Sequence, residues 1–510
     1  MQLIENSAIL SALCRFLYAF TASWDGSAVG SAWNGFSRSV GSVFRSSRSA
    51  SRVLKAGRVV RDWPDSMVCR ILSSAANLIP VSLHRLYTRF GKSIEGSRIL
   101  RAAFYCGEQS VALLSWLLLA LLVIPQDYWD NLYSFLGLSA ILLLFWLGGM
   151  RHRYQRLDLR RVGPYPVMFA AVVFIFFVFS ASISLSLRHL VFHITCMLAV
   201  LLCVSSVRTG KELMRLAAFS AIGLLAAAVY GFYQKAMGIE VDKLLVDLSA
   251  NIDTPGRVFS FFENPNSYAF VIVMLSPMSL ALTFYAKKWL RLLGLLSFLA
   301  SMLALLATYS RGGWVSVAVA VLVFVLILRP SLVPLIIILG ILCLPVLPAS
   351  ITNRIVTIFS GNDTSITSRS LLYDAAWKLI KFSPIRGAGL GSEVVKEAVE
   401  SRSFYTNQMV FVHTHNIYLE IWCETGIFGL FAFLASILTS IRSGLNVIIG
   451  RKGEMFVRAA AAAGISGIVG ILVYGIVDYP WSYPRVMLIF WFLFALLLCA
   501  VRIANREGES

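Results

Sequence analysis

The chain has 510 residues, 58% of them hydrophobic and 14% charged, against roughly a quarter charged in an ordinary soluble domain, and its mean hydropathy is +0.76. That composition excludes a soluble globular protein and predicts an all-α polytopic membrane protein. Lys and Arg number 45 against 26 Asp and Glu, a net charge of +19; they stand in small groups between long apolar runs, which excludes the clustered footprint of a nucleic-acid binder.

Residues 1–109 form a Ser-rich region with 14 Lys and Arg against 6 Asp and Glu and no apolar run of spanning length. The opening MQLIENSAILSALCRFLYAF has no basic leader and is interrupted by Arg15, so no cleaved signal is expected and the mature chain is expected to start at Met1. Ala8 to Phe20 and Ser66 to Phe90 mix apolar and basic residues at helical spacing. They could lie on an anionic inner leaflet, or the region could be a basic arm with fragments of helix. Eight cysteines show no C-x-x-C pair, so neither a disulfide framework nor a zinc site is expected.

From Ser110 onward, twelve apolar runs read as spans of a ~30 Å hydrocarbon core, near 110–125, 131–150, 164–186, 189–206, 216–235, 267–286, 292–309, 313–329, 332–348, 418–441, 458–477 and 486–502. The stretch from Leu292 to Leu328 would reach ~55 Å as one helix, so the chain must turn within it, and Ser310-Arg311-Gly312-Gly313 is the expected place. Basic breaks such as 151–161, 208–215, 287–291 and 442–458 alternate with poorer ones such as QDYWD (126–130). By the positive-inside rule both termini, including a short tail at 506–510, are expected in the cytoplasm. Residues 110–505 then form one transmembrane domain with outer loops at 236–266 and 349–417, the second carrying a helix over Ser370 to Phe382 between the ninth and tenth spans.

The outer face is where arginine should be scarce, yet Arg257, Arg311, Arg354, Arg369, Arg386, Arg402 and Arg485 fall there. Guanidinium forks match phosphate oxygens, which suggests an anionic substrate; each could instead reach lipid phosphate or cap a helix. His413 and His415 precede the tenth span, and a histidine is the usual acceptor for a hydroxyl proton near neutral pH. A His-x-His pair can also bind metal, but no Cys or carboxylate stands nearby at suitable spacing, so neither metal nor cofactor is expected. Glu420 and Glu424 are expected at the outer interface, and Tyr128, Trp129, Tyr479, Trp481 and Tyr483 in an interfacial aromatic belt.

Four segments share the outer side of this topology: GRVFSFFENPNSYA (256–269), TYSRGGW (308–314), SRSLLYDAAWKLIKFSPIRGAGLGS (368–392), and His415-Asn416 followed after nine residues by Gly426-Ile427-Phe428-Gly429. Together they resemble the O-antigen ligase and O-antigen polymerase superfamily of bacterial membrane glycosyltransferases, over roughly residues 110–505. The resemblance implies a GT-C-like helical fold and metal-independent transfer of glycan from an undecaprenyl-pyrophosphate carrier to a hydroxyl of a glycan, lipid or protein acceptor. Under it, Arg311, Arg369 and Arg257 are expected on the pyrophosphate and His415 as the base. Asn416 would orient His415 or contact sugar. His413, Glu263, Asn264, Asn266 and Arg386 would be further substrate contacts, and Gly312, Gly313, Gly426 and Gly429 structural. The spacing after His415 favours a ligase over a polymerase. A lipid-linked glycan flippase is the alternative of another class, and the amino-terminal region could dock on an envelope-polysaccharide synthesis complex.

Overall fold

The computed structural model describes residues 19, 23–24, 26–47, 55–239, 256–343, 352, 364–405 and 410–508. Regular structure among them is helical throughout: α1 (Ala28–Ser46), α2 (Arg58–Asp62), α3 (Met67–Ala76), α4 (Leu78–Glu95), α5 (Arg98–Glu108), α6 (Ser110–Val123), α7 (Asn131–Arg151), α8 (Leu159–Val162), α9 (Pro164–Val178), α10 (Ile183–Ser206), α11 (Gly210–Met237), α12 (Pro265–Tyr285), α13 (Trp289–Ala307), α14 (Arg311–Leu328), α15 (Val333–Cys343), α16 (Thr364–Phe382), α17 (Ser392–Glu400), α18 (Ile417–Ile449), α19 (Met455–Tyr474) and α20 (Pro484–Glu507). Local sequence sets several of these ends. Thr209 and Glu212 form a reciprocal capping box at the start of α11, and Gly238 at φ +67° closes it.

Nine helices among the described residues are long and apolar enough to cross a membrane, α7, α10–α14 and α18–α20; the number rises to eleven if the bent pairs α3–α4 (51°) and α5–α6 (72°) each count as one span. All twelve expected runs form helices, nine of which meet this length and composition by themselves. Three of the runs give shorter helices, α6, α9 and α15. α9 stops at Val178, and Ser180 in the turn that follows bonds Ser182 O and the Ser186 hydroxyl in the first turn of α10. The run at 332–348 continues past Cys343 into residues outside the described set.

The centre of the bundle is α12, with 94% of its apolar stretch buried, flanked by α19 and α20; α7, α13 and α14 bury only 33% of theirs and form the periphery. Small residues bring α12 and α19 together. A Cβ added at Gly467 would stand 2.2 Å from Met274 O, and one at Gly470 would press on Val273 and Ala320. The reversal inside 292–328 falls at Thr308–Ser310, starting two residues earlier than expected and sharing Ser310 with the expected turn. Its left-handed residue is Tyr309 (φ +53°), while Gly312 and Gly313 lie in the first turn of α14, where they let Tyr474 and Ala269 approach.

The described part of the amino-terminal region packs on the membrane body. Trp24 and Trp33 donate their indole N–H groups to Ser331 O (2.8 Å) and Pro330 O (2.7 Å), and Asn77 clamps Leu157 through two bonds of 2.9 and 2.8 Å. The helix expected over Ala8 to Phe20 lies outside the described residues, Ala19 apart. In the long loop, α16 and α17 cover a second small core built on Ala375, Leu379, Val395 and Val399.

Candidate functional site

Four segments far apart in sequence converge at one end of the bundle: the start of α12, the turn before α14, the start of α18 and the turn after α19. Asn416 caps α18, accepting from the N–H groups of Tyr418 (2.9 Å) and Leu419 (3.0 Å), and its amide donates to Ile476 O at 3.0 Å. Ile417 N–H meets Gly475 O at 2.8 Å. These bonds tie the segment before α18 to the segment after α19, which puts His415 beside Asp478.

His415 Nδ1 lies 2.8 Å from Asp478 Oδ1. Asp478 also accepts from the backbone N–H of Tyr479 (2.9 Å) and, on Oδ2, from Asn266 Nδ2 (3.3 Å). Burial alone raises a carboxyl pKa, but the hydrogen bond from His415 and the charges of His415 and Arg369 outweigh it and hold Asp478 well below the usual carboxylate range. An ionised Asp478 fixes the proton of His415 on Nδ1 and leaves Nε2 as the basic nitrogen. The His415 side chain is 35% exposed against 9% for Asp478, so the base is reachable and its partner is not.

His413 is the neighbour that does not compete. Its ring centroid is 4.1 Å from that of His415, and its Nδ1 accepts the His415 backbone N–H at 3.1 Å. Burial and the nearby His415 push its pKa down to about 3, so the ring stays neutral. The ligand atoms of His413, His415 and Asp478 all lie within 4.8 Å of one another, a set that could hold a metal ion. Asp478 is the carboxylate that spacing alone did not offer to the His-x-His pair, being 63 residues from His415.

Asn266 is the hub of the surrounding network. Its Oδ1 accepts from Arg257 Nη2 (3.4 Å) and Ser310 Oγ (3.0 Å) while its Nδ2 reaches Asp478. Arg257 Nε donates to Thr308 O (2.9 Å), and Ser310 Oγ pairs with Tyr474 OH. Arg311 follows Ser310 directly and is half-buried. From the long loop, Tyr373 donates to His415 O (3.4 Å) and Ile476 O (3.1 Å); Arg369, one helical turn earlier on α16, shares that face and acts on the charge of Asp478 and His413. Arg369 thus acts on the Asp478 carboxylate directly and Arg257 reaches it through Asn266, while Arg311 adjoins the same network through its neighbour Ser310.

Other expected contacts sit elsewhere or do other work. Asn264 caps α12, accepting from Asn266 N–H and Ser267 N–H at 2.9 Å each, and its amide bonds Tyr483 OH. Glu263 lines a small cavity with Gln126 and Arg485, away from His415. Arg485 is a structural cation: it donates to Leu121 O (2.6 Å), Ile124 O (2.7 Å), Phe261 O (3.1 Å) and Gln126 Oε1 (3.4 Å), and it stacks on Trp129 and Phe262. Arg402 stacks on Phe382, and Arg354 lies outside the described residues. Arg386 is exposed, on a loop whose neighbours bind the broken point of α18. There Gly426 has φ +64°, and Ala388 N–H and Gly389 N–H satisfy Cys423 O and Glu424 O. A Cβ at Gly426 would stand 1.8 Å from Ile385 O, and one at Gly429 1.8 Å from Thr425 Oγ1.

Two expectations are corrected. Glu420 and Glu424 are buried rather than interfacial, Glu420 accepting Thr414 N–H (2.8 Å) and Glu424 accepting from Tyr479 OH (2.9 Å). Of the aromatic belt, Tyr128 is exposed, but Trp129, Tyr479 and Trp481 are core residues. Asp478 itself was missed. Its signal is that it is the one acid between Glu454 and Glu507 and opens the DYPWSYPR turn on the same side as His415.

Comparison with known families agrees with the resemblance. Residues 295–434 match the family model described as O-antigen ligase. No curated protein matches the chain. The matched stretch contains Arg311, Arg369, Arg386, His413, His415, Asn416, Gly426 and Gly429, whereas Arg257, Asn266 and Asp478 come from outside it.

Proposed function

We propose that this multi-pass membrane protein, with its match to the O-antigen ligase family, transfers a glycan from an undecaprenyl-pyrophosphate carrier to a hydroxyl acceptor at the outer face of the cytoplasmic membrane. The observation that carries the reading is the His415–Asp478 pair with Arg369 acting on its carboxylate and Arg257 joined to it through Asn266. His415 Nε2 takes the proton of the acceptor hydroxyl as its oxygen bonds to the anomeric carbon. The bond from that carbon to the pyrophosphate oxygen breaks, and its electron pair leaves on the carrier pyrophosphate. Arg311, Arg369 and Arg257 offset the charge that grows there. One displacement inverts the anomeric configuration. The positive-inside pattern supports the outward placement of this end.

The hydrogen bonds at the pair already engage Nδ1 of both histidines and both oxygens of Asp478. His415 Nε2 is left to take the proton itself, so under this reading treatment with a chelator is expected to leave activity unchanged, and its loss would point to a metal on His413, His415 and Asp478. The deciding assay uses purified protein, a native lipid-pyrophosphate glycan and candidate acceptors. Transfer is expected to fall by about 10²–10⁴-fold in His415→Ala and comparably in Arg311→Ala and Arg369→Ala; variants that match wild type would remove the site assignment. Single transfer to an added acceptor identifies a ligase, laddering from donor alone a polymerase. No transfer to any acceptor, together with labelled carrier crossing the bilayer, would replace the reading with transport.

A further inference from the structure

At the end of the bundle away from His415, a cavity of about 740 Å³ opens between the 154–161 segment, Arg208, the last turns of α20 and the α3–α4 junction. α20 begins beside the His415 site and ends here, ~36 Å further by helix rise. Six arginines line it, Arg156, Arg160, Arg161, Arg208, Arg502 and Arg506, against one acid, Asp158. Asp158 is engaged with Arg502 at 3.6 Å. Five cations are left without a counter-charge among the lining residues.

A positive inner surface accounts for basic residues at this level, but not for their arrangement. Charged side chains repel one another and spread over a free surface, whereas these converge on a concavity. Arg156 Nη1 and Arg502 Nε are buried without a hydrogen-bond partner, and a buried charged donor left unpaired costs more than an exposed one. Arg208 is held in place, donating to Tyr154 O at 3.0 Å and stacking on the Tyr154 ring. Arg160, Arg161 and Arg506 are exposed and have no partner among the described residues. The site combines fixed guanidinium groups at its base with free ones at its rim.

From this geometry we infer that the cavity is a binding site for an anion bearing two phosphate groups, at the bundle end remote from the glycan-transfer site. Guanidinium pairs bind phosphate bidentately, and basic pockets between helices at this level suit acidic lipid headgroups. The same chemistry fits the headgroup of a diphosphate lipid or a soluble diphosphate. The amino-terminal region supplies one wall through Ser73 and Asn77, so its docking and the site are one feature.

The test uses full-length protein in neutral detergent at low salt. It is titrated with diphosphatidylglycerol, with phosphatidylcholine and with inorganic pyrophosphate, bound lipid being read by native mass spectrometry and pyrophosphate by calorimetry. The variant carries Arg160→Ala, Arg161→Ala and Arg506→Ala, three exposed side chains whose removal leaves the packing intact, with melting temperature as the check. Each removed arginine is expected to weaken binding by about fivefold, so the triple variant loses about two orders of magnitude, while phosphatidylcholine does not compete. Loss seen with the anionic lipid alone assigns the site to a headgroup, and loss seen with pyrophosphate assigns it to a soluble anion. Binding unchanged in the triple variant, or binding that falls instead in Arg369→Ala, overturns the proposal.

Discussion

His415 holds a backbone conformation that residues with a Cβ avoid, φ +49°, at a cost of roughly 1–2 kcal/mol. The surrounding bonds of Thr414, Asn416 and Tyr373 hold it there. Glycine adopts that region freely, so His415→Gly is expected to melt above His415→Ala, by the equivalent of about 1 kcal/mol, with both variants inactive. Equal melting temperatures would show that the backbone relaxes in both. Asp478 gives a pH signature. Its pKa is depressed in the folded state, so its ionised form stabilises the fold above the unfolded value of ~3.9, and that contribution is lost as pH falls through the lower folded value. The melting-temperature gap between wild type and Asp478→Asn should therefore be widest near neutral pH and close on acidification; a constant gap would argue that the two residues are not coupled. His415 was legible because its motif is local. Asp478 was not, because its role arises only where the ends of two spans meet, and no pattern within either one states it.

Among the elements, the apolar runs were legible as helices because hydropathy reports burial in lipid or protein without reference to partners. Their lengths were not, since α6, α9 and α15 are apolar yet short, and composition does not say where a neighbouring turn ends a helix. α18 shows the same limit in another form. The run expected at 418–441 becomes a 33-residue helix that extends into the basic break, but Gly426 interrupts it, and the carbonyls freed there are taken up by the 384–389 loop. Gly426→Ala meets both a positive φ and a backbone oxygen at 1.8 Å, so relaxation requires the loop to detach. Gly467→Ala meets Met274 O at 2.2 Å between α12 and α19 and is expected to destabilise by about 1–3 kcal/mol. The two should differ in kind. Gly426→Ala loses activity with increased proteolytic cleavage in 383–391, and Gly467→Ala lowers the melting temperature without exposing that loop. Enhanced cleavage at 383–391 in both would mean the loop reports global loosening only.

On the scale of the molecule, basic composition announced the amino-terminal region as separate, and the tryptophans that dock it gave no signal in sequence, because an indole N–H finds its carbonyl only in the assembled fold. Arg485 is the wider case. Its single guanidinium takes carbonyls from the end of α6, the turn behind it and the strand of chain before α12, while its own backbone begins α20. Lysine has three donors and no plane, and could serve these oxygens only in part. Three stretches of chain with little sequence proximity are therefore fastened at one atom group, and none can open while the others stay closed. In native-state hydrogen exchange, residues 121–126, 258–263 and 480–485 are expected to share one opening free energy and to lose protection together in Arg485→Lys. Separate opening energies would make them independent units. A common one would mean that this corner of the protein unfolds as a single cooperative block, however far apart its pieces are numbered.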